Sequence, residues 1–225
     1  GYYTTCLNYG KLEEGHRHYG FTVNGGYAEY AVCHINCCHR FSEKLSYEDA
    51  TMLTTAGTAL YGIQRAGGIG PGETVAVIGP GPIGLMAVAG AAHMGAARII
   101  GVGTRPVCAA LAREYGATDV ISYRDGDVVE QVLDMTDGLG ADGVIICGGG
   151  DEVFTQAVDM VRYGIGTVSN VNYYGGTGSI GYPKFSGGRG MAGKTIHMEL
   201  ARGGRARIER MLKMVQYKRV DPGKM

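Results

Sequence analysis

The chain has 225 residues, enough for one large domain or for one domain with part of a second. Its 21 Lys and Arg residues balance 21 Asp and Glu residues, so charge gives no reason to expect nucleic acid or an anionic membrane as a partner. Hydrophobic residues make up 45% of the chain, which argues against disorder, and no apolar run approaches the roughly 18 residues of a membrane span.

Glycine is unusually frequent, with 40 residues in the chain. The glycines cluster where apolar runs end, as tight strand-to-helix turns require. Residues 1–6 have neither the basic nor the apolar region of a secretory signal, and because they lack an initiator Met we expect a fragment or a processed chain. Six cysteines without a signal peptide fit a reducing compartment, so we expect a cytoplasmic protein.

Residues 1–45 differ from the rest of the chain and hold four of the six cysteines. Gly25 and Gly26 predict a turn that leads into a short alternating strand ending at Val32. Five potential metal ligands fall within seven residues: Cys33, His34, Cys37, Cys38 and His39. Their spacing matches no known structural zinc pattern, and a strand would point them to opposite faces, so we predict no metal site there.

Short apolar runs alternate with helical segments from residue 74 onward. The predicted strands are 74–78, 98–102, 119–122, 143–147, 166–171 and 194–200. The predicted helices are 83–94, 106–115, 128–135, 153–161 and 205–217, with a long loop at 173–193. This alternation is typical of an α/β domain with a doubly wound parallel sheet. We therefore expect that domain over residues 74–225, joined to residues 1–45 by a connecting helix and linker at 46–73.

The strongest motif is Gly79-Pro80-Gly81-Pro82-Ile83-Gly84, which directly follows the first of these strands and opens a helix. That context, rather than the GxGxxG spacing alone, predicts a dinucleotide-binding Rossmann domain. Gly79 permits the tight turn, Gly81 lets a pyrophosphate approach the backbone, and Gly84 packs the helix on the strand. Pro82 and Ile83 begin the helix, whose N-terminus would face the phosphates. A purely structural turn is the alternative.

A second motif, Gly103-Thr104-Arg105, follows the second strand. NAD enzymes usually place Asp or Glu there, about 20 residues after the glycines, to bind the ribose 2′-hydroxyl. A Thr hydroxyl and an Arg guanidinium instead suit a 2′-phosphate. Tyr123 follows the neighbouring third strand and could close the same pocket. The sequence therefore favours NADP over NAD, with a solvated surface Arg105 as the alternative.

Two longer stretches, Arg98 to Pro106 and Tyr115 to Asp119, resemble the NADP-dependent secondary alcohol dehydrogenases of the medium-chain, zinc-type dehydrogenase/reductase superfamily. The stretches 190–196 and 217–221 are similar to the same group, and the resemblance runs from about residue 47 to the end. It implies that the adenosine 2′-phosphate is bound by Gly103, Thr104, Arg105 and Tyr123. It also implies that the nicotinamide half is lined by Cys147, Gly148, Asn170, Val171 and Asn172.

The same resemblance implies a partial, mostly β remnant of the catalytic domain in residues 1–45, with residues 1–6 similar to the end of the structural zinc lobe. The family segments that carry the N-terminal ligands of the catalytic zinc, and the C-terminal return into that domain, are expected to be missing. The remaining ligand position lies 24 residues before the first motif glycine, on Thr55, where relatives carry Asp or Cys. Because Thr is a poor zinc ligand, we predict no catalytic metal.

These observations predict an NADP(H)-dependent oxidoreductase that interconverts small secondary alcohols or aldehydes and their carbonyls by hydride transfer. Zinc acts as a Lewis acid in the relatives, so a hydrogen-bond donor would have to replace it here. Thr55 and Thr58 are the candidates, with His16 or His18 as further candidate proton donors. A non-catalytic NADP-binding module, either a truncated dehydrogenase or a nucleotide sensor, is the alternative. The expected partner is a small alcohol or carbonyl substrate, and a homo-oligomer is one possible assembly.

Overall fold

The computed structural model describes residues 7–8, 11–67, 69–175, 178–188, 190–198, 201 and 204–225. The strands are β1 Thr74–Ile78, β2 Arg98–Val102, β3 Asp119–Ile121, β4 Gly143–Ile146, β5 Thr167–Asn170 and β6 Thr195–Met198. They form one parallel sheet in the order β3-β2-β1-β4-β5-β6. This confirms the predicted doubly wound sheet, although residues 199–200 of the sixth predicted strand lie outside the described residues.

The helices are α1 Tyr47–Thr51, α2 Leu53–Arg65, α3 Pro82–Met94, α4 Pro106–Glu114, α5 Val128–Met135, α6 Glu152–Met160 and α7 Arg205–Gln216. Local sequence sets several of their ends. Pro82 and Pro106 occupy the first positions of their helices, where a missing N–H costs nothing. The Asp127 carboxylate caps α5 by accepting from the Val129 and Glu130 N–H groups. Within the described ranges, no helix has the length and apolarity that a membrane crossing requires.

The core lies in two layers, one on each face of the sheet. Val75 and Val77 of β1 pack in the cluster formed with α2, α3 and α7. Ala76 and Ile78 point the other way, into the cluster formed with α5 and α6. Because helices cover both faces, residues 75–78 of β1 and all of β4 are buried, which explains the uninterrupted apolar runs in the sequence.

The predicted strand that ends at Val32 does not form in the described residues, so that prediction was wrong. Tyr27, Tyr30 and Val32 are almost fully exposed. A strand needs a neighbouring strand for its backbone hydrogen bonds, and none pairs with this segment among the described residues. The ordered features nearby are a bridge between Tyr19 and Val23 and a short 3₁₀ turn at Ile35–Cys37. Residues 1–6, which resemble the structural zinc lobe, lie outside the described residues.

The sheet order reverses between β1 and β4, which opens a crevice at the carboxyl ends of these two strands. Helix α2 runs antiparallel to the strands beside it. The end of α2 lies at the start of β4, where Gly143 contacts Ala66. One turn earlier in the helix, Gly62 lies against Ile145, further along β4, and against Val171, which follows β5. The N-terminal half of α2 therefore extends past the carboxyl ends of the strands, on the same side as the crevice.

Candidate functional site

A cleft of about 560 Å³ lies at the carboxyl ends of the central strands. The turn after β1, the Gly-Thr-Arg segment after β2 and the tyrosine after β3 all contribute to it. Six of the sequence-predicted residues line this cleft, namely Gly79, Gly103, Thr104, Arg105, Tyr123 and Gly148. The structure therefore brings both sequence motifs to one site, although they lie about 20 residues apart in the chain.

The three glycines of the first motif differ in how much space the fold leaves for a side chain. Gly79 has a φ of +80°, and a Cβ there would lie 2.8 Å from the Gly148 nitrogen. A Cβ on Gly84 would lie 2.3 Å from the Gly79 carbonyl oxygen, so α3 packs on the turn only with glycine. A Cβ on Gly81 would meet only the Arg105 Nη2 atom, at 3.4 Å, which is an ordinary contact. The fold therefore requires Gly79 and Gly84, whereas the space at Gly81 is left open.

The first backbone N–H groups of α3 have no partner within their own helix. Gly81 is the N-cap residue and has no side chain with which to cap the helix. The Leu85 N–H donates to the Gly81 carbonyl at 2.8 Å, and the N–H groups of Ile83 and Gly84 precede that first helical bond. Together with the helix dipole, these donors favour an anion at the turn.

Thr104 and Tyr123 meet at the edge of the cleft, as the adjacency of β2 and β3 requires. The Thr104 hydroxyl donates to the Tyr123 hydroxyl at 3.2 Å, and Tyr123 is 62% exposed. Arg105, the N-cap residue of α4, is exposed and brings its guanidinium close to Gly81. Two hydroxyls and a permanent positive charge therefore converge on one side of the cleft.

A second group of predicted residues lies beside the cleft but does not line it. The Asn170 side chain is buried; its Nδ2 donates to the Asn172 carbonyl at 3.1 Å, while its Oδ1 has no partner among the described residues. The Asn172 side chain donates to the Gly149 carbonyl at 3.3 Å, which joins the end of β5 to the end of β4. Burial raises the pKa of the Cys147 thiol to about 12, so this thiol is neutral at physiological pH.

The two threonines predicted to act in catalysis lie on α2 and do not line the cleft. Both are half-buried, and the Thr58 hydroxyl donates to the Thr54 carbonyl of its own helix at 3.1 Å. His16 and His18 are also outside the cleft lining; their rings lie 6.2 Å apart, and His18 stacks on Phe21. The structure thus groups the predicted cofactor-binding residues but not the predicted proton donors.

The described residues do not fit a zinc site of the kind that the resemblance implies. Within the described part of the chain, no three side chains of His, Cys, Asp or Glu converge to hold a metal ion. The His34 ring accepts a hydrogen bond from the Asn36 N–H at 3.1 Å, so the ring is turned toward its own backbone. The described residues therefore offer no ligand set to which a zinc-dependent step could be assigned.

Several residues of the cleft were not predicted from the sequence. Gly149 and Gly150 follow β4, Glu152 and Val153 begin α6, and Cys108 lies in the first turns of α4. The run of three glycines at 148–150, one residue past the end of β4, was a visible signal, because it repeats the strand–glycine–helix pattern of the first motif. The contribution of α6 depends on the sheet order and has no comparable signal.

The family model of the zinc-binding dehydrogenases matches residues 82–216. The chain is 45% identical over 191 residues to the NADP-dependent isopropanol dehydrogenase of Thermoanaerobacter brockii, covering 85% of this chain and 54% of that protein. It is 47% identical over 178 residues to the protein of the same name from Clostridium beijerinckii, covering 79% and 50% respectively. The chain spans about half the length of the curated relatives it matches.

A solved structure shows the same architecture. The alcohol dehydrogenase of Thermus sp. ATN1 is similar with a TM-score of 0.73 at 30% identity, covering 83% of this chain and 53% of that one. Family match, sequence identity and fold all agree. The chain belongs to the zinc-binding dehydrogenases of the medium-chain dehydrogenase/reductase superfamily.

Proposed function

We propose that the chain is an NADP(H)-dependent oxidoreductase that interconverts small alcohols and their carbonyls by hydride transfer. The observation that carries this proposal is the convergence of Thr104, Arg105 and Tyr123 beside the glycine turn. The names of the relatives from Thermoanaerobacter brockii and Clostridium beijerinckii give independent support for both the cofactor and the substrate class.

The preference for NADP follows from the charges at the end of β2. A carboxylate at this place would repel a 2′-phosphate, and the chain has Gly103-Thr104-Arg105 instead. The Thr104 hydroxyl already donates to Tyr123, which leaves the Tyr123 hydroxyl proton free to donate to a phosphate oxygen. Arg105 adds a charge-assisted bond, which is roughly twice as strong as a neutral one.

The remaining predicted residues would hold the nicotinamide end, and the nicotinamide supplies or accepts the hydride when it is bound. The buried Asn170 Oδ1 is an acceptor without a protein partner in the described residues, and it fits an amide donor such as a carboxamide. The neutral Cys147 thiol places no charge beside that end. These features fit a ring that bears an amide group, as nicotinamide does.

The carbonyl oxygen of the substrate gains negative charge as hydride arrives at its carbon, and this charge needs a positioned hydrogen-bond donor. Thr55 lies on the half of α2 that extends past the strand ends, and we assign the donor role to its hydroxyl. Thr58 could donate only after giving up its bond to the Thr54 carbonyl. The proposal therefore ranks Thr55 above Thr58.

The test combines NADPH binding by calorimetry with NADPH consumption on a panel of short-chain ketones and aldehydes. Turnover that falls in Thr55→Val, with NADPH affinity unchanged and a smaller loss in the matched Thr58→Val, supports the proposal. Binding without turnover on any substrate supports the alternative, a non-catalytic NADP-binding module. Absence of NADPH binding would overturn both functions.

A further inference from the structure

Three cysteines lie close together on the surface of the N-terminal segment, around the 3₁₀ turn Ile35–Cys37. Cys33, Cys37 and Cys38 are all exposed. The Sγ atoms of Cys33 and Cys38 lie 3.6 Å apart. The turn produces this approach, because the Cys38 N–H donates to the Ile35 carbonyl at 3.1 Å and so folds the chain back toward Cys33.

We propose that Cys33 and Cys38 are a redox modification site, which forms a reversible intrachain disulfide on exposure to a low-molecular-weight disulfide such as oxidised glutathione. Both thiols are accessible to such an oxidant, and their sulfur atoms are already within contact distance. The described part of this segment, residues 11–45, carries no strand or long helix to resist the small displacement that bond formation requires. Cys37 is a less suitable disulfide partner for either thiol, because it lies within the 3₁₀ turn and is the immediate neighbour of Cys38.

The chemistry proceeds by two exchanges. The Cys38 thiolate attacks one sulfur of the oxidant, forming a mixed disulfide and releasing one glutathione thiolate. Cys33 then loses its proton and attacks the Cys38 sulfur, which forms the intrachain bond and releases the second glutathione. The protein pair is thereby oxidised by two electrons, and one oxidised glutathione is reduced to two thiols.

The electrostatics of the pair support this order of attack, in which Cys38 reacts first and Cys33 second. The hydrogen bond to Cys38, followed by the charge of Cys38, raises the pKa of the Cys33 thiol. A thiol with a raised pKa keeps its proton longer, which fits Cys33 to the role of the resolving thiol. Because a thiolate is the nucleophile in both exchanges, the disulfide should form faster as the pH rises.

The test treats the intact chain with oxidised glutathione, blocks remaining thiols with an alkylating agent, and digests with trypsin. All three cysteines fall in one tryptic peptide, residues 18–40, so mass spectrometry counts them together. We expect wild type to lose two alkylatable thiols, with the mass of an intrachain disulfide, and to regain both in dithiothreitol. Cys37→Ser is the matched control and should form the same disulfide.

Cys33→Ser and Cys38→Ser should form no intrachain bond, and Cys33→Ser should instead accumulate a glutathione adduct on Cys38. A disulfide that persists in either variant but is lost in Cys37→Ser would overturn the pairing. The proposal would be overturned altogether if the wild-type chain formed only mixed disulfides with glutathione, or only cross-linked dimers.

Unchanged circular dichroism verifies that the variants are folded. The result is independent of NADPH binding, since none of these cysteines lines the cleft.

Discussion

Replacing Gly81 by Val and Gly84 by Ala should separate cofactor binding from folding within a single turn. A Cβ on Gly84 would lie 2.3 Å from the Gly79 carbonyl oxygen, which is backbone and cannot rotate away. Overpacking of this kind costs about 1 to 3 kcal/mol. For a chain of this size that corresponds to a decrease in Tm of roughly 3 to 10 °C.

Gly81 should behave in the opposite way. Its Cβ would meet only the mobile end of Arg105, and its φ of −81° is open to any residue. Gly81→Val should therefore keep the wild-type Tm in the absence of ligand, while its side chain should fill the space proposed for the pyrophosphate.

Thermal unfolding with and without NADPH distinguishes the two effects. At a concentration 100 times Kd, NADPH should stabilise wild type by about 2.7 kcal/mol. Gly81→Val should lose this increment entirely, whereas Gly84→Ala should have a lowered Tm before any ligand is added. An unliganded Gly81→Val with wild-type Tm and an undiminished NADPH shift would refute the assignment of the turn.

Three further predictions follow from the same structure. In calorimetry, Thr104→Val should weaken NADPH binding by about 1 kcal/mol, roughly fivefold, and leave NADH binding unchanged, because only the 2′-phosphate loses a contact. An equal effect on both cofactors would mean that Thr104 does not contact the 2′-phosphate. Arg98, followed by Thr118, lowers the pKa of Asp119 from its usual 3.8, so the pair stabilises the fold above that pH and the contribution is lost as pH falls through the lowered value. Since both side chains are partly exposed, Asp119→Asn should cost no more than about 1 kcal/mol in neutral urea melts and nothing in strong acid. Finally, elemental analysis should find no stoichiometric zinc and activity should survive chelation; one zinc per chain, with activity lost in EDTA and restored by zinc, would contradict this.

The sequence predicted the parallel sheet closely because every central strand is buried on both faces. Such strands are short uninterrupted apolar runs that end in glycine, as in residues 74–79, and they need no distant information to be found. The proximity of Thr104 and Tyr123 was also predictable, since β2 and β3 are consecutive strands of a doubly wound sheet.

The failures of prediction concern segments whose structure depends on distant partners. The pattern before Val32 is that of a strand, but a strand forms only beside another strand, and none of the described strands pairs with this segment. The close approach of Cys33 and Cys38 arises from a 3₁₀ turn that the same pattern concealed. The engagement of the Thr58 hydroxyl with its own helix was likewise invisible, because Thr in a helix can either donate to a backbone carbonyl or remain free.

The central claim, an NADP-selective cofactor site at the end of β2, is tested most directly by calorimetric Kd values for NADPH and NADH. Wild type should bind NADPH at least tenfold more tightly, a difference of about 1.4 kcal/mol. Arg105→Asp should lose or reverse that preference by repelling the phosphate, whereas Arg113→Asp, the same charge change at the far end of α4, should retain it. Equal affinity of wild type for the two cofactors, or a preference that survives in Arg105→Asp, would contradict the account.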